Sequence, residues 1–417
     1  MLRRVVGGLV VSLAAAGLSA AEPAQKPTAP AAAPALAPAS EGALVDALKG
    51  GKLALNLRAR WEHADQSGLE ESDAITLRTR LGYTTGAFHG FKLSAEFEDI
   101  SALDGDDYNQ SGLNPGGAGK TVIADPETTE VNQVWLGTTL DKTDVKVGRQ
   151  RLVLDNQRFI GDVGWRQNMQ TFDAVGITDK TVEKLTLTYA YLWQINRVFG
   201  HEHPQGTWDS DSHVIHASYA GIPGGTLAGY IHLLDFDNAA ANSCATYGLS
   251  FAGSREMGEN FNLTYRAEYA TQSDYGSSGL DYSTDYLLGE LGAGTDTITG
   301  ILGYEVLGTD NNVGFKTPLA TLHAFNGWAD VFLTTPGAGL EDLYLKVNAT
   351  LPRGWTATAF YHQFETDLGD DLGDEWDLLV SYKINKQWSA LAKAASFNSD
   401  SALPDVTKFW AQVDFAF

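Results

Sequence analysis

Hydrophobic and polar residues alternate along most of the chain from residue 52 onward. In "KLALNLRARWEH", Leu, Ala and Trp occupy every second position, and Arg58 and Arg60 fall between them. The segment "AITLRTRLGYTT" repeats the pattern with Arg78 and Arg80. A period of two places successive side chains on opposite faces of a β-strand. The two segments therefore predict neighbouring strands, each with one apolar face and one polar face that carries an arginine pair.

The same period recurs in about eighteen segments, most of them about 10–15 residues long. This length exceeds the ~5–6 residues of ordinary globular strands and is typical of tilted membrane strands that extend beyond the lipid. The predicted strands are 52–65, 72–87, 90–102, 128–140, 143–152, 169–179, 183–197, 212–221, 225–237, 242–254, 259–273, 282–293, 295–308, 340–351, 354–366, 374–385, 387–398 and 404–417.

The connections between these segments alternate between short and long. Short turns such as "AFHG", "GIPGG" and "LPRG" alternate with long segments, of which the longest are 103–127, 153–168, 198–211 and 309–339. This alternation is the layout of outer-membrane barrels, and an even strand count lets the first and last strands pair. We predict an all-β fold, a transmembrane antiparallel β-barrel of about 18 strands with periplasmic N- and C-termini.

The orientation of the predicted wall follows from the cost of burying charge in lipid. Arginine on the lipid face of a barrel strand costs roughly 2–4 kcal/mol at the midplane, so the paired arginines should face the lumen. The chain ends with "KFWAQVDFAF", an amphipathic strand that closes on Phe417. Such a terminus resembles the signal that the bacterial outer-membrane assembly machinery reads, which makes that machinery an expected partner.

The N-terminus predicts export. Residues 1–21 combine two arginines, the apolar run "VVGGLVVSLAAAGL" and small residues before Glu22, as in a secretory signal peptide. Residues 22–51 form a Pro/Ala-rich periplasmic linker, although "EGALVDALKGG" is compatible with one or two helical turns. The barrel then occupies residues 52–417, with inward-folded loops expected near 153–168 and 309–339.

Composition excludes several functions. A formal net charge of −23 makes nucleic acid a poor partner. A single cysteine, Cys244, excludes an internal disulfide and a cysteine-rich metal site. The acidic runs "DGDDYNQSG" and "DLGDDLGDE" lack EF-hand spacing and favour solvated loops over Ca²⁺ sites. No catalytic motif is present, so we expect no enzyme, no cofactor and no metal site.

The clustered arginines leave two interpretations open. Four arginines on one wall could belong to a salt-bridge lattice with inward-facing acids, which would stiffen the barrel. They could instead form a path that guides anions, because guanidinium groups bind carboxylates through paired donors and pore charge selects the sign of the solute.

A second cluster lies in "VGRQRLVLDNQRFIGDVGWRQNMQTFDAVG". The segment is too apolar for a solvated loop, so it should fold inward and narrow the lumen. Arg149 shares parity with Val145 and Val147, which places it either past the lipid zone or beside a bulge that switches faces. The cluster contains Arg149, Arg151, Arg158, Arg166, Asp155 and Asp162.

These sequences resemble the alginate-export family of bacterial outer-membrane porins. The resemblance rests on "GRQRL", "DNQRFIGDVGWRQ", "QTFDA" and the distant "TPLATLHAFNGWAD". It implies a monomeric eighteen-stranded barrel with a pore rich in arginine and lysine, in a family whose founding members export alginate. It also assigns the four arginines of the second cluster to a constriction, with Asp155 and Asp162 orienting them. The long segment 309–339 would be a lid inside the mouth or a loop packed at the rim.

The expected function is a channel of the Gram-negative outer membrane that passes hydrophilic anionic solutes such as uronates or other carboxylates. The alternatives are export of an alginate-like polysaccharide within a secretion complex and a structural or adhesive barrel with a plugged lumen. Expected partners are outer-membrane lipid, lipopolysaccharide and a small anionic or polyanionic solute. The predicted pore-lining residues are Arg58, Arg60, Arg78, Arg80, Arg149, Arg151, Arg158, Arg166, Asp155, Asp162 and Lys346.

Overall fold

The computed structural model describes residues 41–105, 107–258 and 260–417. The predicted signal peptide and the first part of the predicted linker, residues 22–40, lie outside these residues. Within the described part of the chain, no helix is long and apolar enough to cross a membrane.

One nine-residue helix precedes a closed barrel of long antiparallel strands. Within the described residues, eighteen strands form one sheet, and β1 pairs with both β2 and β20, which closes the ring. The predicted fold class, a closed 18-stranded antiparallel barrel, is therefore confirmed. The elements are α1 (Glu41–Lys49), β1 (Lys52–Gln66), β2 (Ser72–Thr84), β3 (Phe91–Ala102), β4 (Thr128–Leu140), β5 (Thr143–Gln150), β6 (Thr171–Asp179), β7 (Leu185–Asn196), β8 (Thr207–Ile222), β9 (Gly225–Leu234), β10 (Cys244–Glu256), β11 (Asn262–Asp274), β12 (Ser283–Gly294), β13 (Ile298–Leu307), β14 (Thr309–Asp310), β15 (Val313–Gly314), β16 (Leu340–Leu351), β17 (Trp355–Glu365), β18 (Asp371–Lys383), β19 (Trp388–Ser399) and β20 (Val406–Ala416).

The two faces of the wall differ as the alternation predicts. Leu53 and Leu81 on the outer face are 57% and 48% exposed, whereas Arg60 and Arg78 on the inner face are only 1% and 2% exposed. The register pairs Leu55 with Leu81 and Arg58 with Arg78, so each apolar and each cationic row continues across the strand pair. Lipid therefore meets the apolar face, and the arginines point into the lumen.

Short turns and long connections occupy opposite ends of the barrel. At the short-turn end, for example, two residues join β4 to β5 and three residues join β12 to β13. At the long-loop end, the largest connections are 103–127, 151–170 and 308–339. The last of these contains β14 and β15, which form a separate two-stranded hairpin.

Two long connections, which we call inner loop A (residues 151–170) and inner loop B (residues 308–339), pack against each other inside the ring. Gly161 N–H donates to Leu319 O at 2.9 Å, and Thr321 N–H donates to Gln157 O at 3.0 Å. These contacts place the two loops side by side.

Apolar side chains fill the space between the inner loops and one part of the wall. Phe159 of inner loop A packs against Tyr230 of β9 and Tyr286 of β12, with ring centroids 5.0 and 5.3 Å apart. Phe315 and Leu319 of inner loop B belong to the same buried cluster. The inner face is therefore apolar along this part of the wall, which departs from a uniformly wet lumen.

Candidate functional site

The four paired arginines of β1 and β2 contact the backbone of inner loop A. Arg58 Nη1 donates to Gly164 O at 3.1 Å and Trp165 O at 3.0 Å, and Arg60 Nη2 donates to Trp165 O at 2.6 Å. Arg80 Nη2 donates to Gln167 O at 3.0 Å, and Arg78 Nη1 reaches the same oxygen at 3.4 Å. Because a folded-in loop has carbonyls without sheet partners, these charged donors satisfy groups that would be costly to bury alone.

Most of these arginines also pair with carboxylates. Arg58 Nε lies 2.8 Å from Asp414 Oδ1, and Arg60 Nη1 lies 3.2 Å from Asp125 Oδ2. Arg80 pairs with Glu98 of β3. Arg78 has no carboxylate oxygen within 4.0 Å among the described residues, and its Nη2 donates to Asn56 Oδ1 at 2.5 Å. Three of the four arginines thus form the salt-bridge lattice that was one of the two interpretations of the sequence. Arg78 is the member of this group that has no carboxylate partner among the described residues.

Arg158 connects inner loop A to inner loop B and to the wall. Its Nε donates to Glu305 Oε1 of β13 at 2.8 Å, and its Nη2 donates to Asn326 Oδ1 at 2.9 Å. The guanidinium also lies 4.8 Å from the centroid of the Phe325 ring, within cation–π range. Since Arg158 is only 2% exposed, this ion pair is removed from solvent.

A second connection centres on Asp330 of inner loop B. Asp330 Oδ2 accepts from Arg166 Nη2 of inner loop A at 2.8 Å and from Lys408 Nζ of β20 at 2.9 Å. Its Oδ1 lies 2.6 Å from His323 Nδ1. One carboxylate therefore connects both inner loops to the wall.

A lysine surrounded by tryptophans continues this network. Lys393 Nζ of β19 lies 2.6 Å from His323 Nε2 and 3.6, 4.2 and 5.3 Å from the ring centroids of Trp328, Trp165 and Trp410. Because the ammonium donates, His323 Nε2 is the acceptor and its Nδ1–H donates to Asp330.

Carboxylates of β18 hold inner loop B from the wall side. Glu375 Oε1 accepts from the Ala329 N–H at 2.6 Å, and Asp377 Oδ2 accepts from the Trp328 N–H at 3.2 Å. Gly327 precedes them with φ +86°, and a Cβ there would lie 2.3 Å from Glu375 Oε2. Glycine at this position therefore permits both the backbone turn and the close approach of the carboxylate.

Three cavities border the inner loops. A long-loop vestibule of about 250 Å³ is lined by Arg166, Asp330 and Lys408. A central cavity of about 310 Å³ lies on the other side of inner loop B, between Trp328, Lys346 and neighbouring strands. A short-turn vestibule of about 470 Å³ lies along β3 to β7 and is also lined by Arg151 and Leu152 of inner loop A. Side chains of the inner loops thus line all three cavities.

The chain matches the model of a known protein family. The family model for alginate export matches residues 51–274, which is more than half of the chain. The chain belongs to the alginate-export family. The suspected family is thereby confirmed, and the fold and family together make this an outer-membrane β-barrel channel.

Solved structures share the fold of this alginate-export family member at low identity. OpdK of Pseudomonas aeruginosa, determined with vanillate, is 15% identical, with a TM-score of 0.71 and coverage of 89% of this chain and 99% of that one. OpdL of the same organism is 18% identical, with a TM-score of 0.68 and the same coverage. OccAB4 of Acinetobacter baumannii is 13% identical, with a TM-score of 0.69 and coverage of 88% and 98%. Among curated proteins, no match is found.

Three of the arginines that the family resemblance assigned to a constriction lie on inner loop A of this alginate-export barrel, and each has different partners. Arg151, Arg158 and Arg166 all belong to inner loop A, and Arg151 pairs with Asp162 of the same loop. The Arg151 side chain remains 50% exposed and lines the short-turn vestibule. Lys346 of β16 lines the central cavity, with its Nζ 4.8 Å from the centroid of Phe360.

Arg149 and Asp155 are placed differently from their predicted positions. Arg149 is paired across the sheet with Val134, which is 43% exposed on the outer face, so Arg149 lies outside the lumen. There it forms an ion pair with Asp173 of β6 at 2.8 Å. The regular register of β5 preserves the parity that Arg149 shares with its valines, and no bulge reverses it. Asp155 contacts His216 Nε2 of β8 at 2.8 Å instead of orienting an arginine.

Sequence reasoning missed Lys393, His323 and Asp330. In the β19–β20 register, Lys393 is paired with Trp410. The pair Ala395–Lys408 lies two positions away on the same inner face, so the inward direction of Lys393 follows from the strand alternation. A lysine in the apolar stretch "SALAKAASF" is the corresponding signal. His323 and Asp330 lie in an irregular loop, where no periodicity reports the direction of a side chain.

Acidification is expected to loosen inner loop B through His323. Burial is the main reason that the pKa of His323 lies well below its ordinary value of 6.5, and Lys393 adds to the effect while Asp330 opposes it. Although burial favours its neutral form, His323, Lys408 and Arg166 hold the pKa of Asp330 well below its usual range, so this carboxylate stays ionised. Because the docked loop favours the neutral imidazole of His323, this residue stabilises docking fully above about pH 6.5. The stabilisation is lost as the pH falls below that value.

Conductance in planar bilayers should therefore rise as pH is lowered from about 7.5 to 5. His323→Gln, which keeps one donor and one acceptor, should reduce this rise, whereas His89→Gln in an exposed short turn should not change it. A pH response that persists undiminished in His323→Gln would contradict the assignment.

Proposed function

We propose that this barrel lets hydrophilic anionic solutes, such as uronates or other carboxylates, diffuse across the outer membrane. The observation that carries the proposal is the short-turn vestibule, which is lined by four basic side chains and one acidic side chain. The basic residues are Lys92, Lys146, Arg151 and Lys180, and the acid is Asp144. Such a wall concentrates anions by its field and offers donors to carboxylates.

The arginines of the lumen act in two ways in this proposal. Arg58, Arg60 and Arg80 are engaged with carboxylates and with the carbonyls of inner loop A, so they shape the constriction. Arg78 adds positive potential to the same wall. Arg166 borders the long-loop vestibule, and Lys346 borders the central cavity, where each contributes to the electrostatic path. OpdK, a barrel of the same fold, has been determined with the anion vanillate, which supports this solute class.

Neutralising the vestibule lysines tests the proposal. The triple variant Lys92→Gln, Lys146→Gln and Lys180→Gln should lower the anion-to-cation permeability ratio about threefold, because the wall loses three positive charges. Reversal potentials in a KCl gradient across a planar bilayer measure this ratio. Lys146→Gln alone should shift it more than Lys386→Gln, which removes one charge from an exposed turn between β18 and β19. Reversal potentials that do not move in the triple variant would exclude an anion-guiding vestibule.

Export of an alginate-like polysaccharide is a second proposal, favoured by the family match over residues 51–274. The docked inner loops oppose it, because a polymer needs a continuous bore and the largest of the three cavities described above is about 470 Å³. Flux of uronate monomers and longer oligouronates into proteoliposomes separates the two. A steep fall with chain length supports diffusion of small solutes, and a weak length dependence supports export.

A further inference from the structure

Helix α1 is attached to the outer side of the barrel at the short-turn end. Tyr83 of β2 is opposite Leu53 in the register, and Leu53 is 57% exposed on the outer face. The Tyr83 hydroxyl donates to the carbonyl of Leu48 in α1. In addition, the N–H of Gly86, in the turn after β2, donates to Ala47 O at 2.8 Å. Contacts with an outward-facing tyrosine place the helix beside the wall and not beneath the lumen.

The helix exposes an apolar stripe. Leu44, Val45 and Leu48 are 49%, 45% and 49% exposed, whereas Ala47 is buried against the barrel. At 3.6 residues per turn, these three side chains lie within an arc of about 100°. Asp46 points away from this arc, so the helix has distinct apolar and polar sides.

We propose that α1 is a membrane-surface anchor whose Leu44, Val45 and Leu48 side chains insert into the lipid leaflet at the short-turn end. The apolar stripe of α1 continues the lipid-facing belt of the barrel, so the same lipid leaflet is its partner. Only two residues separate α1 from β1, whose exposed Leu53 begins that belt, and Tyr83 of the same outer face contacts the helix.

The charge pattern and length of α1 fit a position in the membrane interface. Nine residues extend only about 13 Å, which is too short to span the hydrocarbon core but sufficient to lie along its surface. Lys49 at the end of the helix and Lys52 at the start of β1 are both exposed. Their long stems can follow the apolar surface while the ammonium groups reach lipid phosphates.

Site-specific fluorescence tests the anchor. Cys244 is the single cysteine and is buried, so a Cys244→Ala background allows one probe to be attached at a chosen position of the full chain. Environment-sensitive probes at Leu44→Cys and at the matched control Asp46→Cys would be compared in proteoliposomes. Nitroxide-labelled lipids should quench the Leu44 probe about threefold more strongly than the Asp46 probe, and iodide should show the opposite order.

Two outcomes would overturn the proposal. Equal lipid quenching and equal iodide access at both positions would show that the helix lies in water. Protection of the Leu44 probe from iodide without lipid quenching would show that protein, either a second copy or another partner, covers the stripe. Val45→Cys provides a second apolar position to compare with Asp46→Cys, so the test stands if Leu44→Cys fails to assemble.

Discussion

Replacing Arg158 with methionine is expected to open the constriction and raise single-channel conductance. The change leaves Glu305 buried without its cation and removes the hydrogen bond to Asn326 in inner loop B. Removing one partner of a buried ion pair costs about 3–5 kcal/mol, which shifts the docking equilibrium by roughly two to four orders of magnitude. Conductance steps of single channels in planar bilayers measure the result.

The double variant Arg158→Met, Glu305→Gln is the control for this prediction. It removes both charges and should restore most of the wild-type conductance, because no unpaired charge stays buried. Lys120→Gln, which breaks an ion pair whose carboxylate, Asp107, is largely exposed, should change docking by less than about 1 kcal/mol. If Arg158→Met conducts like the wild type, Arg158 does not connect the inner loops.

Replacing Asp330 with asparagine is expected to have the second large effect, an increase in anion preference together with weaker docking. Arg166, Lys408 and His323 all contact this carboxylate. The substitution therefore removes the negative charge of Asp330 from beside two permanent cations, Arg166 and Lys408, at the long-loop vestibule. Loss of a buried ionic partner again costs about 3–5 kcal/mol. Reversal potentials measure the selectivity, and limited proteolysis within inner loop B measures docking.

The matched control is Asp400→Asn, which removes the same charge from an exposed position between β19 and β20. It should leave both protease resistance and reversal potential close to wild type, since solvent and salt screen an exposed charge. Equal shifts in the two variants would mean that total charge, and not the constriction, controls selectivity.

The barrel itself was predictable because its signals are local. Alternation such as that around Arg58 and Leu81 reports which side chain faces lipid, and the cost of charge in lipid decides the orientation. Arg149 illustrates the strength of this rule. Its parity with Val145 and Val147 places it outside, whereas family resemblance assigned it to the constriction, and the regular register of β5 follows parity.

The inner contacts were less predictable because they join distant segments. Arg60 and the carbonyl of Trp165 are 105 residues apart, and no pattern in either strand shows that a loop backbone will be the acceptor. The apolar content of inner loop A predicted that it would fold inward. Which cation it would use for docking depended on the path of the loop across the lumen.

The sequence by itself determined a closed ring of strands with an apolar exterior and inward-facing arginines, because a period of two and the expulsion of charge from lipid act on each strand separately. Only the tertiary structure decided that these arginines hold a loop, that Asp330 joins two loops to the wall and that Lys393 lies among three tryptophans. Such contacts require irregular loops to meet strands from opposite parts of the chain. Their geometry is set by the packing of the whole lumen and by no local repeat.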